Sequence, residues 1–379
     1  MQASSYYSDA TNPADAAVEV GIKLRADGFG PQNNHGSALV FASRHLAEHP
    51  RALSGALRDA LGDIPFLGWV GTSVFHNSDI EEGTPGLSVL RFPNDHSYIR
   101  HAAQSRKTLG SEIAAELLAD SPTGRLRFLS ASNEGFDANN LFPCLDEQNT
   151  PVLGLVSHAV LSSDQNQDAF SEQSSVALMT MTGYQALTAV AQGARPLGPQ
   201  RQVTAVDRNF ILEIDHRPAL ESLLTDLPAR LHQQLSQLRG LLYAGLSSQG
   251  QEAFLMRNIV GIDPRTGAVA VEGSPRSQTP LVFSLRCGKA SRRDLDASIE
   301  TLAKGLGDRK PTAILVFNCA GRNADFFGVP LHDVESIQSV LGTDCPIVGA
   351  SGFGEIATFT NYTHLFGYTA AIVALIPDE

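Results

Sequence analysis

One short pattern recurs three times in this chain, and it constrains the fold more than any other feature. An apolar strand is followed by a connector, then by a Pro-apolar-apolar-Gly element that opens a second strand, then by a third apolar strand. The first copy runs Ala38–Ala42, Pro65-Phe66-Leu67-Gly68 and Leu87–Phe92. The second runs Leu126–Ala131, Pro151-Val152-Leu153-Gly154 and Val176–Met181. The third runs Ala313–Phe317, Pro346-Ile347-Val348-Gly349 and Ala370–Leu375. This spacing is too long for a solenoid repeat and reads as a repeated α/β module. The strands alternate little between apolar and polar, as expected when both faces of a sheet are covered. The fold class read here is α/β, with repeated strand-helix-strand modules forming mixed β-sheets flanked by helices.

Helix signals sit between the strands. Pro50 starts a stripe of Leu53, Leu57 and Leu61 ended by Gly62, and Pro330 starts one of Val334, Ile337, Val340 and Leu341 ended by Gly342. Leu57, Leu61, Val340 and Leu341 are therefore expected to be buried. Asp294 reads as the N-cap of a helix carrying Leu295, Ile299, Leu302 and Leu306. The stretch Gln192–Gln202, rich in Gly, Pro and Gln, reads as a linker. After it come a strand pair in Val203–Ile214, a helix broken at Pro228, and a hairpin about Asp263–Gly267. The division drawn from these signals is 14–200 and 201–379.

With 379 residues, 42% of them apolar, the chain has enough material for a large core. Its net charge of −12 argues against nucleic acid and against an anionic lipid surface as partners. No apolar run reaches the ~18–20 residues of a membrane helix. Met1–Ala10 lacks the pattern of a signal peptide. Four scattered cysteines form no metal-type spacing, so no metal is expected and they read as reduced thiols in the cytoplasm.

The chemistry-bearing residues cluster in the third copy. Asn318, Cys319, Gly321 and Arg322 follow an apolar strand, where α/β sheets place ligands. The Arg322 fork suits a carboxylate or a phosphate; the competing reading is an ion pair with Asp325 or Glu355. Ser351, Gly352, Gly354 and Glu355 form a bare-backbone stretch with one charge. Glu355 suits an ammonium group, so the two charges together suit an amino acid. Gly71 and Thr72 are the counterparts in the first copy, and Trp69 beside them reads as core. Cys319 could be a nucleophile with His332 or His364 as base and Asn361 to orient it, but no hydrolase signature surrounds it. Among eleven histidines, His45 and His49 are four apart. His158 and His76 stand in similar places of their copies.

The series Asn209–Asp215, Arg257–Gly261, Asn318-Cys319-Ala320-Gly321-Arg322, Gly352–Ile356 and Asn361–His364 resembles the C-terminal half of FIST proteins, named for F-box and intracellular signal transduction. The Pro65–Gly68 copy and its flanking strands resemble the N-terminal half. The resemblance implies two FIST halves and a bacterial-type cytoplasmic sensor that binds a small molecule, with amino acids proposed for the family. It also implies a separately encoded signalling partner and no enzymatic activity. Some members are described as haem-dependent nitric-oxide sensors, which makes haem the alternative to no cofactor. A hydrolase or transferase using Cys319 is the other alternative.

Overall fold

The computed structural model describes residues 3–29, 36–48, 50–77, 79–93, 95, 97–103, 108–122, 124–163, 175–247, 254–329, 333–342 and 344–378. His49, Pro330 and His332 lie outside them. The chain divides into two compact units: residues 1–191, 296–324 and 329–379 form one, and 192–295 with 325–328 form the other. Neither is a continuous half of the sequence.

The first unit contains the three modules, each longer than its sequence signal. Module 1 comprises β1 (Ser4–Ser8), α1 (Pro13–Ala26), β2 (Ser37–Ser43), α2 (Pro50–Leu61), β3 (Phe66–Gly71), β4 (Ser73–His76), β5 (Asp79–Glu82) and β6 (Leu87–Phe92). Module 2 comprises β7 (Tyr98–Ala103), α3 (Gly110–Leu118), β8 (Leu126–Ser132), α4 (Ala138–Asp146), β9 (Val152–Ser157), β10 (Val160–Ser162) and β11 (Ser175–Met181). Module 3 starts at β12 (Tyr184–Ala191) and is then interrupted.

The interruption is the second unit, with β13 (Ala194–Pro196), β14 (Arg201–Asp207), β15 (Phe210–Ile214), β16 (Arg217–Pro218), α5 (Ala219–Asp226), a 3-10 helix (Ala229–Leu238), β17 (Leu242–Leu246), β18 (Leu255–Asp263), β19 (Ala268–Val271) and β20 (Pro280–Arg286). The expected linker 192–202 thus holds a short strand, β13, paired with β20. The core of this unit includes Ile211, Leu223, Leu242, Val269 and Phe283. Module 3 resumes through α6 (Gly288–Leu306), β21 (Ala313–Cys319), α7 (Ala324–Phe327), α8 (Asp333–Leu341), β22 (Ile347–Gly352), β23 (Gly354–Phe359), β24 (Tyr362–Phe366) and β25 (Ala370–Pro377). The seventh residue of α6 is Asp294, which is therefore not its N-cap; its carboxylate accepts the Gly193 N–H at 2.7 Å instead.

The registers of the three modules agree. Val40, Leu129 and Val316 each lie on a central strand. Each pairs in parallel with the glycine of a Pro-x-x-Gly element, Gly68, Gly154 or Gly349. On the other side each pairs antiparallel, with Val89, Leu178 or Ile372. These glycines are required by close approach. A Cβ at Gly154 or Gly349 would overlap the Leu129 or Val316 carbonyl oxygen, and one at Gly68 would stand 2.7 Å from that of Val40. Gly349→Ala should therefore cost at least about 2 kcal/mol in an unfolding experiment, because the clash is with backbone. Gly55→Ala, in α2 with open space around it, should instead stabilise by about 0.5–1 kcal/mol. Equal effects of the two changes would refute this account.

The strand after each Pro-x-x-Gly strand leaves its own module. β4 joins β22 of module 3, β23 joins β9 of module 2, and β10 joins β3 of module 1. The exchange is cyclic and closes after three steps. Its corners repeat in detail: Thr72 N–H donates to Ser351 O (2.9 Å), His158 N–H to Val70 O (2.8 Å) and Phe353 N–H to Val156 O (2.8 Å). Between the sheets, Phe41, Trp69, Phe128 and Phe317 pack ring against ring, with Trp69 centred 5.1 Å from both Phe41 and Phe317. The Trp69 indole N–H donates to Leu129 O. The outer sheet faces take helices, with α1 and α2 on module 1 and α3 and α4 on module 2.

Leu57 and Leu61 are buried as expected, but Val340 is 43% exposed and Leu341 half-buried. α8 buries Val334 and Ile337, and at 3.6 residues per turn Val340 points roughly 120° away from Val334.

Candidate functional site

The carboxyl ends of β21 and β22 bring Asn318, Cys319, Ser351 and Gly352 side by side, in the register Asn318↔Ser351 and Cys319↔Gly352. Thr72 joins them, since its N–H and hydroxyl both point to Ser351 O, and Gly71 can carry no side chain there because a Cβ would stand 2.6 Å from the same oxygen. Gly321 is held against the Tyr368 ring, and its N–H donates to Cys319 Sγ at 3.4 Å. The thiol is nearly buried. Gly354 opens β23, one residue before Glu355.

Both charges are interior. Arg322 is 1% exposed and Glu355 0%. The carboxylate partner of Arg322 is neither Asp325 nor Glu355 but Asp333, at the start of α8. Arg322 Nε and Nη2 donate to Asp333 Oδ2 at 3.3 and 3.0 Å, and Asn318 Nδ2 donates to the same oxygen at 3.2 Å. The fork expected to take a ligand carboxylate is thus engaged. Asp333 gave no sequence signal beyond being an acid at a helix start.

Glu355 Oε2 accepts from Thr369 N (3.1 Å) and Thr369 Oγ1 (2.5 Å). Its other oxygen, Oε1, is buried and accepts no hydrogen bond among the described residues. Burial pushes the carboxyl up to about 8; the two Thr369 hydrogen bonds and the Arg322 charge offset this only in part. At neutral pH Glu355 is mostly protonated.

The repeat supplies an internal comparison. Asn318 lies two residues beyond Val316, where modules 1 and 2 have Ala42 and Ala131. Arg322 N–H donates to Cys319 O, and at the same place in module 1 Leu46 N–H donates to Ser43 O. Glu355 pairs with Leu155, the residue after Gly154; at that position Val74 pairs with Ala350, after Gly349, and Val160 with Trp69, after Gly68. Cys319 corresponds to Ser43 and Ser132, whose hydroxyls accept the N–H of Gly86 and Ser175. In module 3 the corresponding N–H, that of Thr369, goes to Glu355. The fold thus fills the Asn318, Glu355 and Cys319 positions twice with Ala, Val and a serine hydroxyl, and the Arg322 position with Leu46 in module 1 and Gly135 in module 2.

His158 takes the corner position of Thr72 and Phe353, so its counterpart in module 1 is Thr72 and not His76. His76 ends β4, its two ring nitrogens 3.1 and 3.2 Å from Ser88 Oγ and Asn77 Nδ2.

Comparison with known proteins agrees with the motifs. The FIST N domain matches residues 37–217 and the FIST C domain residues 219–358. The chain belongs to the FIST family. An uncharacterized protein of Mycobacterium bovis is 31% identical over 212 residues, 54% of this chain and 54% of its own length. The chain thus spans about half the length of that relative. An uncharacterized protein of Mycobacterium tuberculosis is 26% identical over 350 residues, 89% of this chain and 91% of its own. FIST domains are associated with sensing in signal transduction. Among the described residues no helix is long and apolar enough to cross a membrane.

Proposed function

We propose that this FIST protein is a small-ligand sensor whose responsive site is the polar interior of module 3, with its signal passed to a separate partner protein. One observation carries the reading: buried charge stands in module 3 at positions that modules 1 and 2 fill with apolar or small side chains. Buried ionisable groups are costly, and replacing them with apolar residues is often neutral or stabilising. Here the same fold shows an apolar side chain twice at the Glu355 position and once, as Leu46, at the Arg322 position, so packing alone does not require either charge. Glu355 Oε1 is the atom that a ligand donor would satisfy. An ammonium group binding there would take up the negative charge that Glu355 releases its proton to form. Asp333, Asn318 and Arg322 form one hydrogen-bonded group in the same module, and an incoming carboxylate would compete with Asp333 for the Arg322 fork. Cys319 stands where the other modules use serines as hydrogen-bond acceptors, and its sulfur accepts the Gly321 N–H, which supports a structural role.

Haem needs an axial ligand beside an apolar slot. His158 is exposed, and the Phe353 ring meets it edge to face. This supports the reading without haem.

A thermal-shift screen of amino acids and short peptides tests the reading. A ligand at 100 times its dissociation constant adds about 2.7 kcal/mol of stability. The shift should disappear in Glu355→Gln. A hit that persists unchanged in Glu355→Gln would move the site elsewhere.

A further inference from the structure

The three corners of the cyclic exchange place Thr72, His158 and Phe353 together, because each backbone N–H is anchored to the carbonyl two residues before the next corner. None of the three is buried. His158 and Phe353 meet edge to face with ring centres 4.6 Å apart, and Phe353 is 41% exposed although it follows a fully buried strand. One residue past each central strand stand Arg44, Asn133 and Ala320, whose N–H groups donate to Gly71 O, Ser157 O and Gly352 O. Arg44 is exposed, and its guanidinium makes no hydrogen bond or ion pair among the described residues. The His158 ring nitrogens make no hydrogen bond among them either.

We propose that these corners form a binding site for an aromatic carboxylate, its carboxylate on Arg44 and its ring against Phe353 and His158. The chemistry follows from what the cluster offers. A planar fork of donors accepts a carboxylate in a bidentate way. An exposed phenyl edged by an imidazole offers an apolar face for a flat ring. Partial shielding of the ring from water and then the nearby Arg44 charge lower the pKa of the His158 side chain, so the imidazole is neutral at neutral pH and adds no second cation. The ligand therefore needs one negative charge and one ring. This site is distinct from the interior one: it uses no charge of module 3 and draws on all three modules.

The test uses three probes on the intact protein, followed by NMR of the His158 ring protons and by calorimetry. Benzoate supplies charge and ring, acetate the charge alone, benzamide the ring alone. Benzoate should bind saturably and at least tenfold more tightly than either of the others. Arg44→Gln and Phe353→Ser should each weaken it at least tenfold, and Arg293→Gln, an exposed arginine of α6, should leave it unchanged. Melting curves of the variants, which change exposed side chains, establish that they are folded. Acetate binding as tightly as benzoate, no benzoate effect on His158, or wild-type affinity in Arg44→Gln would each overturn the proposal.

Discussion

Urea titrations of the wild-type protein should show a loss of roughly 3–5 kcal/mol of stability between pH 5 and pH 9 that Glu355→Gln does not share. Glu355 holds its proton in the folded state up to about pH 8, whereas the unfolded side chain releases it near 4.5. Over that window the folded state binds more protons than the unfolded one, so stability falls as pH rises. The slope is about 1.4 kcal/mol per pH unit, and it ends once the folded carboxyl has ionised. Glutamine keeps the size and the acceptor for Thr369 but does not titrate. Parallel pH profiles for the two proteins would show that Glu355 is ionised in the fold, with a charge partner nearer than Arg322.

The second large effect concerns Asp333. Asp333→Ala removes the acceptor of Arg322 and Asn318 and leaves a guanidinium buried without it. A broken buried pair of this kind typically costs about 3–5 kcal/mol. A multiple variant that adds the module 1 residues to Asp333→Ala should recover most of that loss: Asn318→Ala, Cys319→Ser, Arg322→Leu and Glu355→Val. Leu46 and Val74 show what the fold accepts at two of these positions, and the Ser43 hydroxyl shows how the Thr369 N–H is then capped. The effects are strongly non-additive because the residues share one network. If the multiple variant is less stable than Asp333→Ala, the charges hold the module together and the functional argument for them fails.

The repeated Pro-x-x-Gly elements were legible because glycine there answers a local demand, the carbonyl of the strand alongside. The helix stripe over Leu53–Leu61 was legible for the same reason: one face, one period. What the sequence did not disclose is where β4, β10 and β23 go. Each begins two or three residues past the end of the preceding strand, and the corner residues Thr72, His158 and Phe353 share no side-chain chemistry. Pairing with another module is decided by closure around the aromatic cluster, not by any local signal. The inserted second unit was half visible: its hairpins could be read, but not that it splits module 3 between β12 and α6. At the site, Arg322 and Glu355 stood out as isolated charges between apolar strands and glycines. Asp333 did not, because an acid at a helix start ordinarily needs no further explanation. Thr369 was equally unmarked.

The cyclic exchange also governs how the chain can acquire its structure. Asn77 N–H reaches Ile347 O, 270 residues away in sequence, so the last sheet of the ring cannot form until nearly the whole chain exists. Contacts of such long range are slow to form, since loop closure precedes the reward. During synthesis β4 waits without β22, and β9 without β23, each presenting an open edge to whatever else pairs with strands. Neither the first 200 residues nor the remainder contains a closed ring. Separated halves should therefore be insoluble alone and regain structure only when mixed, and the newborn chain is a natural client for holding chaperones.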